Sequence, residues 1–150
     1  MGLLLRVQGK LGEAESLLRE TLEATRTILG AQHPSTLTST SNLSMMLHAQ
    51  GKLKEAEPLI CEVLASQRAT LGSQHPDTFT SMHNLGILLE QRGKLREAET
   101  LFNEALTGRW RVLGRAHPYT QLTCTALVRM LTAQGKARDA REVQAQYGGR

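Results

Sequence analysis

The chain returns to the same words every 42 residues. "LGAQHP" at 29–34 recurs as "LGSQHP" at 71–76 and "LGRAHP" at 113–118. "GKLGEAE" from Gly9 recurs as "GKLKEAE" from Gly51, "GKLREAE" from Gly93 and "GKARDAR" from Gly135. Between segments 29–70 and 71–112, 20 of 42 positions are identical without a gap. A fixed period of this size is the mark of a solenoid. Each period is one supersecondary unit that cannot bury its apolar face alone, so neighbours stack to make a continuous core. In the same register, LLLRVQGK at 3–10 falls under MMLHAQGK at 45–52 and ILLEQRGK at 87–94. The start therefore reads as the stub of a repeat rather than as a targeting signal.

Each period carries two helical patterns. After Pro34, Leu37, Leu43, Met46 and Leu47 recur until Gly51. After Gly51, Leu53, Ala56, Leu59, Ile60, Val63 and Leu64 follow at helical spacing until Gly72. No stretch alternates with period two. The expected chain has a stub at 2–8, then helices near 11–29, 35–50, 53–71, 77–92, 95–113, 119–134 and 137–147. Gly30, Gly72 and Gly114 stand where a long helix must stop. Pro34, Pro76 and Pro118 open the next helix, where the missing N–H costs nothing. His33, His75 and His117 precede them, at a position biased away from helix. Stacked equivalents lie ~8–10 Å apart per helix, too far for the three imidazoles to share one ion.

Composition supports stacked helices. Aromatics are only 3 % of the chain, so the core is aliphatic and Ala-rich, without large aromatic pockets. A net charge of +4 favours acidic partners mildly but is too small to imply nucleic-acid binding. Cys61 and Cys124 have no CxxC spacing, and they read as two buried thiols in a reducing compartment. No apolar run approaches the ~20 residues that span a bilayer. HExxH, GxSxG and phosphate-loop patterns are absent. Glu55 with Glu57, and Glu97 with Glu99, point to different helix faces at a separation of two and do not make acid–base pairs. Arg109, Trp110 and Arg111 lie together in GRWRVLGR; the indole is expected under the following connection, with both arginines in solvent.

In the middle period Leu85, Gly86, Leu89, Gly93, Ala98, Phe102, Ala105 and Leu106 fall at the spacings of the tetratricopeptide signature. Small residues at Gly86 and Ala98 (Ser44 and Ala56 one period earlier) let paired helices approach closely. The eight extra residues, closed by LGxxHP, resemble the repeats of kinesin light chains and nephrocystin-like proteins. NLSMMLHAQGKLKEAE and NLGILLEQRGKLREAE carry the resemblance well, and TALVRMLTAQGKARDAR more loosely. It implies an all-α, right-handed α-solenoid of stacked antiparallel helix pairs, about three and a half tetratricopeptide repeats in a single domain over 1–150. A stub and half repeat occupy 1–29, repeats run over 30–71, 72–113 and 114–147, and a fraying tail covers 148–150.

The resemblance also implies a function. In such arrays the first helix of each pair lines a concave groove for peptides. Asn42 and Asn84 match the family's groove asparagine, whose amide can bond a peptide backbone through both its N–H and its C=O. The third repeat departs from that pattern with Ala126. Ser41 and His83 stand where light chains often carry a second Asn. Thr38, Thr80, Met45, Ile87 and Arg129 complete the expected surface, without a basic ladder. The implied role is a cytoplasmic, non-enzymatic adaptor segment that binds a protein or peptide, with no cofactor, metal, small-molecule substrate, nucleic acid or membrane insertion. The competing role is a spacer or self-association segment of a longer array. The apolar residues Leu11, Leu17, Leu18, Leu22 and Ile28 at the uncapped N-terminal end would mediate that self-association.

Overall fold

The computed structural model describes residues 2–149, with side chains from Val7 onward. Met1 and Arg150, the outermost residues of the expected stub and tail, lie outside the described residues. Seven helices follow one another among the described residues: α1 (Gly2–Leu29), α2 (Pro34–Ala49), α3 (Leu53–Thr70), α4 (Pro76–Gln91), α5 (Leu95–Leu113), α6 (Pro118–Ala133) and α7 (Ala137–Tyr147). They fall into two compact units, Met1–Ser66 and Gln67–Arg150.

The repeated words act as helix punctuation. At the end of α4 the Gly93 N–H bonds the Glu90 carbonyl (3.0 Å) and the Lys94 N–H bonds the Leu89 carbonyl (2.8 Å). This is the paired-bond cap that requires a left-handed residue, and Gly93 supplies it at φ 77°. Gly51 and Gly135 repeat the geometry. The histidines do more than precede proline. In His33, His75 and His117 the ring Nδ1 accepts the backbone N–H of Ser35, Asp77 and Tyr119, at 3.1, 3.1 and 3.2 Å. Each histidine is the N-cap of its helix, in extended backbone, with proline at the first helical position. That capping role, worth about 0.5–2 kcal/mol per helix, is not visible in spacing alone.

One boundary differs from expectation. The first Gly-Lys word forms no turn: α1 runs unbroken through Gly9 and Gly12. A break at Gly9 would sacrifice helical hydrogen bonds, and the few residues before it are too short to form a stable helix that could repay the loss.

Within Met1–Ser66 the core is Leu22, Leu43, Leu47, Ala56, Ile60 and Val63. The Ser44 hydroxyl donates to the Ala56 carbonyl (3.1 Å), tying α2 to α3 at the small-residue contact. Within Gln67–Arg150, Phe79 and Phe102 are fully buried and hold α4 against α5. The approach is so close that a Cβ on Gly86 would lie 2.8 Å from the Phe102 ring. A Cβ on Gly108 would run into the Phe79 ring, a second close approach that the repeat signature does not mark.

The C-terminal tail is pinned rather than frayed. The Arg115 Nε donates to the Gly148 carbonyl (2.7 Å), and Gln121 bonds both the Tyr147 carbonyl (2.8 Å) and the Gly149 N–H (2.7 Å). Of the cysteines only Cys124 is buried, and burial raises its thiol pKa; Cys61 is exposed, because its slot on α3 faces away from the core.

Candidate functional site

The first helices of the pairs carry the expected surface. On α2, in the N-terminal unit, Thr38, Asn42 and Met45 are exposed and Ser41 is half-buried, all on one side of the helix. On α4, in the C-terminal unit, Thr80 and Ile87 lie three or four residues from each of the adjacent His83 and Asn84, so the four share one face. Thr80 is exposed, Asn84 and Ile87 are half-buried, and His83 is buried at 7 % exposure. The expectation of a His83 side chain open to a ligand is therefore corrected: it lies in the floor beneath that face. Neither Asn42 nor Asn84 uses its amide in a hydrogen bond to a described residue, so neither serves as a helix–helix tie.

Arg129 on α6 is exposed and reaches α4, where it pairs with Glu90 at 2.7 Å. The pair bridges the two first helices of this unit and holds the guanidinium near His83. Because Glu90 is the less exposed partner, the bond is partly shielded from water.

A cluster absent from the expected surface lies under α4 and α6. Arg109, near the end of α5, is 2 % exposed, which corrects its expected place in solvent. Its Nη1 donates to the Tyr119 carbonyl (3.0 Å) and to the Thr123 hydroxyl (2.6 Å), and its Nη2 donates to the Thr80 hydroxyl (3.1 Å). The guanidinium carbon also lies 5.3 Å from the centroid of the Tyr119 ring. Every one of these partners is neutral. A buried cation with hydrogen bonds but no carboxylate is costly to hold, and burial lowers the Arg109 pKa accordingly.

His83 feels that charge. Its Nδ1 sits 3.1 Å from the Thr123 hydroxyl, and its ring lies 5.6 Å from that of Phe102. Burial first, and then Arg109 and Arg129, push its pKa down from 6.5 to about 4. The imidazole is neutral near pH 7, and Arg129 is paired with Glu90, so the uncompensated charge here is that of Arg109. Thr80 and Tyr119, both exposed, thus lie over the buried positive charge of Arg109, and Asn84 follows Thr80 one turn along the same face.

The repeat itself held the signal for this cluster. The slot of Arg109 contains Thr25 and Gln67 in the other repeats. Gln67 accepts a hydrogen bond from Ser81 (2.6 Å), the equivalent of Thr123. A polar second-helix residue thus reaches the next first helix at this slot, and one repeat fills it with a cation. The neighbouring Trp110 stands edge-on to Tyr147 of α7, with ring centroids 5.9 Å apart and 40 % of the residue exposed, rather than under the connection after α5. Among the described residues no three His, Cys, Asp or Glu side chains are grouped to hold a metal, and no helix is long and apolar enough to cross a membrane.

Comparison with known proteins agrees with this geometry. The tetratricopeptide repeat family model matches residues 1–69 and 62–109. A solved structure of a Podosopora anserina putative kinesin light chain with nearly identical TPR-like repeats superposes with a TM-score of 0.86 at 30 % identity. That alignment covers 93 % of this chain and 66 % of the other, and a singly substituted form of the same protein gives the same values. BtubC (BKLC) from P. vanneervenii has a TM-score of 0.79 at 21 % identity, over 95 % of this chain and 59 % of its own, and shares the fold. The chain thus spans no more than about two thirds of the solved chains it resembles. No curated protein matches it. With 42-residue helix pairs, glycine-capped turns and histidine-capped first helices, the chain belongs to the tetratricopeptide repeat family, as an α-solenoid array of the kinesin light chain type.

Proposed function

We propose that the chain is a non-enzymatic adaptor segment of the cytoplasm that binds an extended peptide or a partner's helix over the outward faces of its first helices. A tetratricopeptide array is a protein–protein interaction module; the finer reading rests on one observation. Asn84 presents an amide without a protein partner one turn from Thr80, whose hydroxyl accepts from a buried guanidinium with only neutral hydrogen-bond partners. Asn42 offers the same unpaired amide on α2. Amides that bond a peptide backbone supply affinity without sequence choice, and the uncompensated charge of Arg109 supplies a preference for an acidic residue at the α4–α6 face. The self-association role has less support, since it gives these polar residues no task.

The test is a peptide-display selection on the full chain, followed by affinity measurement of the selected peptides. Each amide hydrogen bond is worth ~0.5–1.5 kcal/mol. Asn42→Ala with Asn84→Ala should therefore weaken binding roughly tenfold to a hundredfold. Equal affinity for wild type and the double variant would remove the asparagines from the site.

A further inference from the structure

We propose that the edge of the C-terminal unit where α5 ends is a peripheral docking surface for an anionic membrane. The contact is made by Trp110, Arg111, Val112 and Arg115, without insertion of a helix. None of the four belongs to the peptide face.

The repeat supplies its own control. One period earlier the same slots hold Arg68, Ala69, Thr70 and Ser73, a mostly polar set with one basic residue. Arg68 is neutralised by Glu104 at 2.8 Å, as Arg26 is by Glu62 at 3.0 Å. In the third period both halves of that pair are gone. Trp110 stands in the arginine slot and Gln146 in the glutamate slot. The neighbouring slots gain Arg111 and Arg115, and Thr70 gives way to Val112. Helix α3 closes with the polar set, so ending a helix at this slot does not require the apolar and basic one.

The added charge is uncompensated. Over 105–150 eight Lys and Arg stand against only Asp139 and Glu142, whereas 1–104 carries ten against twelve. Arg111 is exposed and makes no ion pair among the described residues. Arg115 donates to the Gly148 and Ala145 carbonyls (2.7 and 3.1 Å) and meets no carboxylate. Trp110 and Val112 beside them are 40 % and 50 % exposed. The indole is already held edge-on by Tyr147, so docking immobilises little that was free.

Shape selects the partner. Successive residues of a helix turn by about 100°, so Trp110, Arg111 and Val112 point to three sides of the last turn of α5. A strand or helix lying along one flank would miss at least one of them. A flat surface across the end of the helix reaches all three, together with Arg115 in the connection. Arginines among anionic headgroups, with an indole and a short aliphatic side chain at the same depth, make the usual interfacial contact of a protein with a bilayer.

The test mixes the full chain with vesicles of phosphatidylcholine alone or with added phosphatidylserine. Trp110 is the chain's one tryptophan, so its emission reports this edge directly. Phosphatidylserine vesicles should sediment the chain and shift that emission to the blue, and bromine-labelled acyl chains should quench it. Phosphatidylcholine alone should do none of this, and salt at about 0.5 M should release the chain. Arg111→Gln, at an exposed residue without a partner, should weaken vesicle binding about fivefold. Arg111→Ala with Val112→Thr restores residues that the fold carries one period earlier; it should keep the wild-type melting temperature and bind at least tenfold more weakly. Equal binding to both kinds of vesicle, or wild-type affinity in both variants, would overturn the proposal. So would sedimentation that leaves Trp110 emission unchanged. A single-stranded RNA that quenches Trp110 while the vesicles have no effect would overturn it too, and would make the occupant nucleic acid.

Discussion

Protonation of His83 offers a direct handle on the C-terminal unit. The unfolded chain takes up this proton near the ordinary histidine pKa of 6.5, whereas the folded chain resists until about 4. Between those values the unfolded state holds more protons, so stability rises with pH across the window and falls as acid is added. His83 is thus a stability cost that is absent above pH 6.5 and fully developed at about pH 4. At 1.36 kcal/mol for each tenfold difference in proton affinity, the full loss is about 3 kcal/mol, most of it reached by pH 4.5. The perturbation is His83→Asn, which keeps a polar side chain but does not titrate. Urea unfolding of both proteins would be measured at pH 7.5, 6.5, 5.5 and 4.5. The three capping histidines and His48 are present in both, so their contribution cancels in the difference. Wild type should lose about 2–3 kcal/mol relative to His83→Asn between pH 7.5 and 4.5. Parallel stability curves would refute the placement of a neutral imidazole beside Arg109 and Arg129.

Other substitutions probe separate parts of the argument. His75→Ala should destabilise the chain by about 0.5–2 kcal/mol in urea unfolding through loss of the α4 cap, and His75→Asn should recover most of it because an Asn side chain can accept the same N–H. Gly108→Ala should lower stability by about 1–3 kcal/mol despite the better helix propensity of alanine, because its Cβ meets the Phe79 ring; an unchanged unfolding midpoint would show that the α4–α5 contact is looser than described. Arg109→Met should change stability by less than about 1 kcal/mol, since it trades a costly buried charge for packing. The same variant should bind selected acidic peptides about tenfold more weakly in fluorescence anisotropy.

The repeat made the helices legible because its glycines and prolines fix where each helix ends, and those residues act through the backbone alone. Gly9 escaped that logic. A turn word makes a turn only where a first helix packs beside it, and this is a tertiary condition that no local word encodes. Spacing marks the histidines as loop residues, but their capping bond depends on a ring rotamer rather than on spacing. Equivalent positions in a repeat share a face, so spacing alone puts Asn42 and Asn84 at the same position on their helices. His83 shares that face by spacing, yet it is buried because α5 and α6 close over it with Phe102 and Thr123. Arg109 is illegible for the opposite reason. An arginine in a charged run reads as solvated, and only the polar atoms of Tyr119, Thr123 and Thr80, gathered from two other helices, make its burial tolerable.

The central claim is that the outward faces of the first helices bind peptide. It is tested most directly by amide chemical-shift mapping of the full chain with a peptide selected by display. The account predicts perturbations concentrated at Asn42, Thr80, Asn84 and Arg129, and their loss with Asn42→Ala/Asn84→Ala. Perturbations confined to second-helix surfaces, such as Cys61 or Asn103, or a double variant that binds as well as wild type, would contradict it.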